Sequence, residues 1–178
     1  MDNIFTFFND GVFSHVAHVY PGKVKNEHST SVIFTISISP SEFLLYDSRS
    51  KLLRHQVLLR GVFGGLNRSS GRIYGFNVIH KLGLSGLLSR NYCFIDGFTG
   101  MKFRWKISWW GNGWKLMDPS NNKIASFRRK SFKMSMQGRL TIHQQGLPEH
   151  LVHLILLTNQ LVHDRLKVKE LEISHKTT

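Results

Sequence analysis

The 178-residue chain has a single cysteine, Cys93, and therefore cannot form an intramolecular disulfide. This composition fits a reducing compartment. The first ten residues, MDNIFTFFND, carry an early aspartate and lack the basic region of a secretory signal. We therefore expect an intracellular, cytoplasmic protein that could lie peripherally at a membrane, and we interpret Cys93 as a small buried apolar residue.

Acidic residues are scarce in the middle of the chain. Between Ser48 and Leu147, 18 Lys and Arg residues stand against two carboxylates, Asp96 and Asp118. With so few carboxylates, the segment offers few candidates for a general acid or base. The sequence also has neither a phosphate-binding glycine motif nor a nucleophile elbow. We predict that the protein is not an enzyme and uses no cofactor. The excess positive charge would attract phosphate-rich partners, and the simpler alternative is a solvated basic surface that keeps the protein soluble.

Long apolar runs are also missing, with one exception near the end. Residues 151–162 are apolar on almost every helical face, but the run is too short to span about 30 Å of hydrocarbon, which takes about 20 residues. Pro148 and Glu149 suit the first turn of a helix, and the basic residues after 164 suit its last turns. Because a helix that is apolar all round is buried on all sides, we predict a buried helix over 148–168 and no transmembrane segment.

The remaining sequence reads as short strands separated by turns. Glycine-rich breaks over 61–71 and 81–90 predict loops, and the glycines of 111–113 predict a tight hairpin with positive φ angles. Gly138 predicts a bulge or a bend. Regularly spaced strands favour a sandwich or barrel, and only a sheet curled around the helix can bury it. The clearest strand is MKFRWKISWW, in which mostly basic residues share one face and the other face is apolar: Met101, Phe103, Trp105, Ile107 and Trp109.

The second half of the chain contains, in this order, Phe103 and Trp105, then Ala125 and Phe127, then Gly138, Leu140 and Ile142, and then the helix from Pro148. This order of elements resembles the fungal tubby C-terminal-like domains. The resemblance implies a mainly β fold, a closed antiparallel barrel of about twelve strands around a central hydrophobic helix, shared with tubby, LURP-one-related and phospholipid scramblase proteins. Tubby domains bind phosphoinositides through basic residues, but those residues do not align one by one with this chain, so none is carried over.

These patterns predict one domain. Residues 30–171 would form the barrel with the helix over 148–168 at its centre, and residues 172–178 would be a tail. Residues 1–29 would be either early strands of the same barrel or a flexible arm. The patterns leave the oligomeric state open.

Eight basic residues are candidates for a lipid- or anion-binding face on the outside of the barrel. If the strands over 101–110, 114–118 and 123–129 are neighbours, their outward side chains lie only a few ångströms apart. Arginine in particular can bind phosphate through paired hydrogen bonds. The candidates are Lys102, Arg104, Lys106, Lys123, Arg128, Arg129, Lys130 and Lys133.

Three tryptophans flank the predicted hairpin. We favour an interpretation in which Trp109 and Trp114 lie in the core and only Trp110 points outward, where it could contact a membrane interface. Basic and aromatic residues interleaved in strands also suit single-stranded nucleic acid. However, Phe103 and Trp105 share the face opposite the basic residues, so stacking and phosphate contacts would lie on opposite sides, and nucleic acid is disfavoured.

Three histidines on the predicted helix raise the question of a metal site. His150 and His153 are three residues apart, but His163 lies far along the axis, so the spacing disfavours metal binding. We interpret them as polar positions near the helix ends and a core histidine.

Two functions follow from these observations. The favoured one is a noncatalytic module that binds anionic phospholipid, with phosphoinositide as an option, through the basic outer face. The alternative is a protein-interaction or regulatory module with an unknown protein partner, whose basic surface is incidental.

Overall fold

The alternating pattern of the sequence forms strands, and the apolar run forms a helix. A computed structural model describes residues 3–10, 14–25, 30–49, 56–64, 70–84, 91–110, 112–130 and 136–176, with side chains in the helix up to Val168. Within these ranges the elements are β1 (Asn3–Asn9), β2 (Val16–Pro21), β3 (Phe34–Ile38), β4 (Glu42–Asp47), β5 (Gln56–Gly64), β6 (Ser70–Gly75), β7 (Val78–Leu84), β8 (Tyr92–Ile95), β9 (Lys102–Ile107), β10 (Gly113–Met117), β11 (Lys123–Arg129), β12 (Met136–Ile142) and α1 (Glu149–Lys176).

The strands form a closed barrel. Each strand pairs with its neighbours in sequence, and β1 closes the ring by pairing antiparallel with β12, from Asn3 opposite Ile142 to Phe7 opposite Gly138. A closed ring protects the strand edges, which otherwise offer sites for aggregation. The predicted fold class, a mainly β closed barrel of twelve antiparallel strands around a C-terminal helix, is therefore confirmed.

The helix α1 lies inside the barrel because it has no polar face to turn toward water. Residues 154–157 point in different directions around the helix axis, yet all of them are fully buried. They belong to one continuous apolar core with the inward side chains of the strands. The helix continues to Lys176, beyond the predicted end at 168, and so includes most of the segment 172–178 that the sequence predicts as a tail.

The helix enters the barrel at one end and leaves it at the other. At the entrance end, Nε2 of His150 lies 3.5 Å from Oδ2 of Asp96, in the β8–β9 turn. At the exit end, Oδ1 of Asp164 lies 3.4 Å from Nδ1 of His15, in the β1–β2 connection. Because antiparallel strands alternate in direction, the β10–β11 turn belongs to the entrance end and the β9–β10 connection belongs to the exit end.

Two tryptophans of the barrel wall donate hydrogen bonds to the middle of α1. Nε1 of Trp105 on β9 donates to Oγ1 of Thr158 at 3.0 Å, and Nε1 of Trp114 on β10 donates to Oδ1 of Asn159 at 2.7 Å. The Thr158 hydroxyl in turn donates to the carbonyl of Leu154 at 2.6 Å. Since buried polar groups need partners in an apolar interior, these bonds determine the rotation and depth of the helix in the barrel.

The first residues of the chain form β1 and β2 of the barrel. Over the described ranges 3–10 and 14–25, residues 1–29 are therefore early strands and not a flexible arm. Outside these strands lies a second small core formed by Phe8, Tyr20, Val24 and Met136. The backbone N–H of Val24 donates to Oγ1 of Thr6 at 3.2 Å, which holds the chain after β2 against the outer face of β1.

The predicted loops at 61–71 and 81–90 are partly strand. β5 continues to Gly64 and β7 continues to Leu84, because backbone pairing with β6 overrides the low strand preference of glycine. The middle of each predicted loop lies outside the described residues.

The bulge predicted at Gly138 is confirmed. Phe7 on β1 pairs with Gly138, but the next residue, Phe8, pairs with Met136, so β12 has one extra residue at this point. A Cβ at Gly138 would lie 2.3 Å from the carbonyl oxygen of Arg128, which explains the need for glycine.

Candidate anion-binding site

The outward side chains of β9, β10 and β11 bring basic residues together. Lys106 on β9 is directly opposite Lys115 on β10, and Lys115 is directly opposite Ser126 on β11. Nearer the exit end, Gly113 is opposite Arg128. Residues that face one another across a sheet point to the same side, so all five positions share the outer face.

These residues surround a depression of about 540 Å³ near the exit end. The depression exists because Gly113 has no side chain and Ser126 has a short one, so the floor between the longer side chains is low. Its rim carries three cationic side chains, one from each strand. We call it the basic depression and define it by Lys106, Ser108, Asn112, Gly113, Lys115, Ser126 and Arg128; the apolar residues Ile107, Trp114 and Phe127 also line it.

Gly113 has a packing role that differs from the predicted one. The sequence assigns it to a tight turn with a positive φ angle, but Gly113 is the first residue of β10, and its φ angle is not positive. A Cβ at this position would lie 2.4 Å from the carbonyl oxygen of Phe127, far inside van der Waals contact. Glycine therefore allows β10 and β11 to approach each other here.

The cations of the basic depression repel one another. Lys106 and Lys115 are directly opposite on neighbouring strands, and Arg128 is directly opposite Arg139 on β12. Like charges in this arrangement destabilise a sheet. Within the described part of the chain, no carboxylate forms an ion pair with Lys106, Lys115 or Arg128. An anion bound in the depression would relieve this repulsion.

Asn121 holds two of the basic side chains toward the entrance end. Its Oδ1 accepts hydrogen bonds from Arg104 at 3.4 Å and from Lys106 at 3.5 Å. Asn121 has a φ of 64°, in the left-handed region that asparagine tolerates better than most residues. The β10–β11 turn therefore positions the Lys106 side chain along the outer face.

The structure brings together some of the eight predicted basic residues and separates others. Lys106 and Arg128 line the basic depression, and Arg104 lies on the same face toward the entrance end. Lys102 and Lys123 are exposed at the entrance-end termini of β9 and β11, away from the depression.

The remaining candidates lie elsewhere. Arg129 follows Arg128 on β11 and therefore points to the inward side, where it is half-buried, so it does not share the outer face as predicted. Lys130 is exposed just after β11. Lys133 lies outside the described residues. Lys115 is a lining residue that sequence reasoning missed, although the alternation in WKLMD, with Trp114 inward, places Lys115 outward.

Both tryptophans before the hairpin are exposed. The exposed fraction is 90% for Trp109 and 82% for Trp110, whereas that of Trp114 is 2%. The predictions for Trp110 and Trp114 are confirmed, but the prediction of a core position for Trp109 is wrong. β9 ends at Ile107, so the inward–outward alternation does not continue to Trp109.

A group of polar side chains that the sequence patterns did not single out lies at the entrance end. Asp96 accepts hydrogen bonds from the Phe98 backbone N–H at 3.2 Å and from the Thr99 hydroxyl at 2.7 Å. Nδ1 of His80 lies 3.2 Å from Oδ1 of Asp96 and accepts a hydrogen bond from the backbone N–H of Gly97 at 2.9 Å. Nε2 of His80 is buried and has no hydrogen-bond partner among the described residues.

Burial and hydrogen bonding shift the pKa values of His80 and Asp96. Burial lowers the pKa of His80, although Asp96 acts in the opposite direction. Burial would raise the pKa of Asp96, but the hydrogen bonds from Thr99 and Phe98 and the nearby His150 hold it below its usual value. His80 is fully buried, so a substrate could not reach its ring. This group therefore holds the β8–β9 turn against the start of α1.

The helix histidines contact aromatic rings. The His150 ring lies 4.5 Å from that of Phe98, and the His153 ring stacks on Phe76 at 5.7 Å, measured between ring centres. His153 and His163 are buried. Among the residues that the structure describes, no three or more His, Cys, Asp or Glu side chains are arranged to hold a metal ion.

Cys93 on β8 is buried, as the sequence predicts. Burial raises the pKa of its thiol, although Lys102 and Arg104 on β9 favour the thiolate. The side chain therefore acts as a small packing residue at neutral pH.

The outer face of β5, β6 and β7 carries a second surface feature. Four large apolar side chains are exposed there, and we call them the β5–β7 apolar patch: Val57, Val62, Tyr74 and Ile79. Tyr74 is directly opposite Ile79 on one side and Arg60 on the other. Shallow depressions of about 540 and 570 Å³ lie along this face.

No protein-family model, curated protein or solved structure matches the chain. The resemblance to tubby C-terminal-like domains therefore stays a prediction. Of the helical residues described, none form a segment both long enough and apolar enough to cross a membrane.

Proposed function

We propose that this protein is a noncatalytic module that binds the phosphate groups of anionic phospholipids in the basic depression. The observation that carries the proposal is that Lys106, Lys115 and Arg128, one from each of three neighbouring strands, line the same depression, and that no carboxylate is paired to any of them in the described chain. Such an arrangement is unfavourable by itself and becomes favourable when an anion binds.

The chemistry of the rim suits a phosphate group. Arg128 can donate two parallel hydrogen bonds to phosphate oxygens, while Lys106 and Lys115 act as compact point charges. Each basic residue near an anionic leaflet contributes about 1 kcal/mol to membrane binding. A phosphomonoester, as on a phosphoinositide headgroup, has more negative charge than a phosphodiester. It would therefore bind more tightly to the three cations of the rim.

Vesicle flotation at about 0.15 M salt tests the proposal, because that ionic strength screens exposed charges beyond roughly 8 Å. Neutral, phosphatidylserine and phosphoinositide vesicles are compared. The double variant Lys115→Glu, Arg128→Glu should bind anionic vesicles at least about thirtyfold more weakly, since two cations contribute about 2 kcal/mol.

The matched control is Arg72→Glu, Lys81→Glu, which changes the net charge equally on exposed positions of β6 and β7. Equal losses in the two double variants would indicate only a diffuse positive field and would contradict a defined site. Preferential binding to phosphoinositide, lost only in the first variant, would support the depression as a phosphomonoester site.

The β5–β7 apolar patch favours a second candidate function, that of a protein-interaction module. Exposed apolar side chains grouped on one sheet face often mark contact surfaces. A purified partner that binds the wild type and the Lys115→Glu, Arg128→Glu variant equally, but not Ile79→Asp, would support this alternative. Loss of binding in the depression variant alone would contradict it.

A further inference from the structure

We propose that Trp109 and Trp110 insert into the interface of an anionic bilayer, so that the exit end of the barrel faces the membrane. This inference rests on the proposed function, and it adds the orientation of the protein and a second, apolar contact. The two rings are 90% and 82% exposed, whereas the other large apolar side chains that are exposed in the described chain reach 51% at most.

The exposure of these two adjacent indoles contrasts with the burial of the other two tryptophans of the chain. Trp105 and Trp114 are buried and use their indole N–H groups to bind the helix. Tryptophan has a large apolar surface and one polar N–H group, and it is therefore enriched where an apolar phase meets water. Trp109 and Trp110 have the exposure that such an interface requires.

The tryptophan pair and the basic depression lie side by side. Ser108 and Asn112, which flank the pair in sequence, both line the depression. The Ser108 backbone N–H donates to the Gly113 carbonyl at 2.9 Å, which ties the two sides of this connection together. A surface that approaches the depression from the exit end therefore also meets the two indoles.

Charge complementarity identifies the surface as an anionic bilayer. Its phosphate layer carries negative charge, which matches Lys106, Lys115 and Arg128, and the region just below that layer accepts indole rings. Single-stranded nucleic acid would supply phosphates and stacking bases, and it is an outcome that the experiment below separates.

Fluorescence of the full chain on vesicles tests the inference. The chain has four tryptophans, so the difference between wild type and Trp109→Phe, Trp110→Phe isolates the emission of the exposed pair. On phosphoinositide vesicles this emission should shift to shorter wavelength and should be quenched by brominated acyl chains. The variant Trp109→Ser, Trp110→Ser should bind at least about tenfold more weakly, while its folding is unchanged because both side chains are in water.

The outcomes separate the two proposals. If the wild type floats with anionic vesicles but the emission of the pair is neither shifted nor quenched, the insertion is overturned and the basic depression stands. If shift and quenching persist in Lys115→Glu, Arg128→Glu, the insertion stands and the role of the depression is overturned. Absence of flotation overturns both. A shift produced by single-stranded oligonucleotide and not by vesicles would also overturn the insertion.

Discussion

Nε1 of Trp114 donates a hydrogen bond to Oδ1 of Asn159 at 2.7 Å, from the inner face of β10 to the middle of the central helix. Both side chains are buried, and Nδ2 of Asn159 has no partner among the described residues. Together with the bond from Trp105 to Thr158, this pair gives a directional contact to a core that is mainly apolar. Apolar packing would tolerate a helix rotated or shifted in the barrel, whereas this bond requires one placement.

Removal of the Trp114–Asn159 bond should destabilise the protein. Asn159→Leu keeps the number and branching of the side-chain heavy atoms but leaves the buried indole N–H without an acceptor, so we expect the free energy of unfolding to fall by about 1–3 kcal/mol. Urea denaturation measures the loss. In the double variant Trp114→Phe, Asn159→Leu, the loss of unfolding free energy should be smaller than the sum of the losses in the two single variants. Strict additivity would show that the two side chains do not interact.

The central position of the helix can be tested with a buried charge. Leu154→Asp places a carboxylate inside the barrel, which costs several kcal/mol, and we expect the variant to be largely unfolded by circular dichroism. Val168→Asp is the matched control, because Val168 is on the same helix but exposed. It should change stability by less than about 0.5 kcal/mol. Equal effects of the two substitutions would contradict the central-helix arrangement.

The basic depression should show a conflict between stability and binding. Lys115→Glu replaces a repulsion with an attraction to Lys106 directly opposite, so the free energy of unfolding should rise by about 0.2–1 kcal/mol. The same substitution should weaken binding to anionic vesicles. Lys123→Glu is the control, at an exposed position away from the depression. It should change both the free energy of unfolding and the vesicle binding less than Lys115→Glu does. A loss of stability in Lys115→Glu would indicate that the lysines do not repel each other.

Stability should fall as the pH falls below about 6.5, the ordinary pKa of histidine. Burial lowers the pKa of both His80 and His153. In the window between the folded and unfolded pKa values, the unfolded chain binds more protons, so the stability present above about 6.5 is lost as the pH falls toward the folded values.

Urea denaturation between about pH 8 and pH 5 measures this slope. His153→Leu should reduce the slope because one of the two titrating groups is removed. His15→Gln is the control, since the His15 side chain is 62% exposed. An unchanged slope in His153→Leu would rule out a contribution from His153.

The sequence predicts the barrel well because the patterns that indicate it lie within single strands or within the single helix. Phe103 and Trp105 alternate with basic residues, which indicates a strand with one buried face. The apolar residues over 154–157 surround the helix axis, which requires burial on every side. From these two patterns, a closed sheet around a helix follows without knowledge of any particular contact.

The basic depression could be predicted only in part. Charge and strand alternation identify Lys106 and Arg128, but their position beside Lys115 depends on the register of β9, β10 and β11. A shift of one residue would turn one side chain to the other face. Arg129 shows the same dependence, since it is adjacent to Arg128 in sequence but lies on the opposite side of the strand.

The sequence by itself determined that most of the chain forms short strands, that the apolar run forms a buried helix and that positive charge is in excess, because alternation, periodicity and composition are properties of neighbouring residues. Only the tertiary structure decided that Trp109 is exposed, since that depends on where β9 ends against its neighbours. It also decided that His80 lies beside Asp96, because β7 and β8 must first pair to bring their ends together. Local patterns carry no information on such contacts, which arise when the barrel closes.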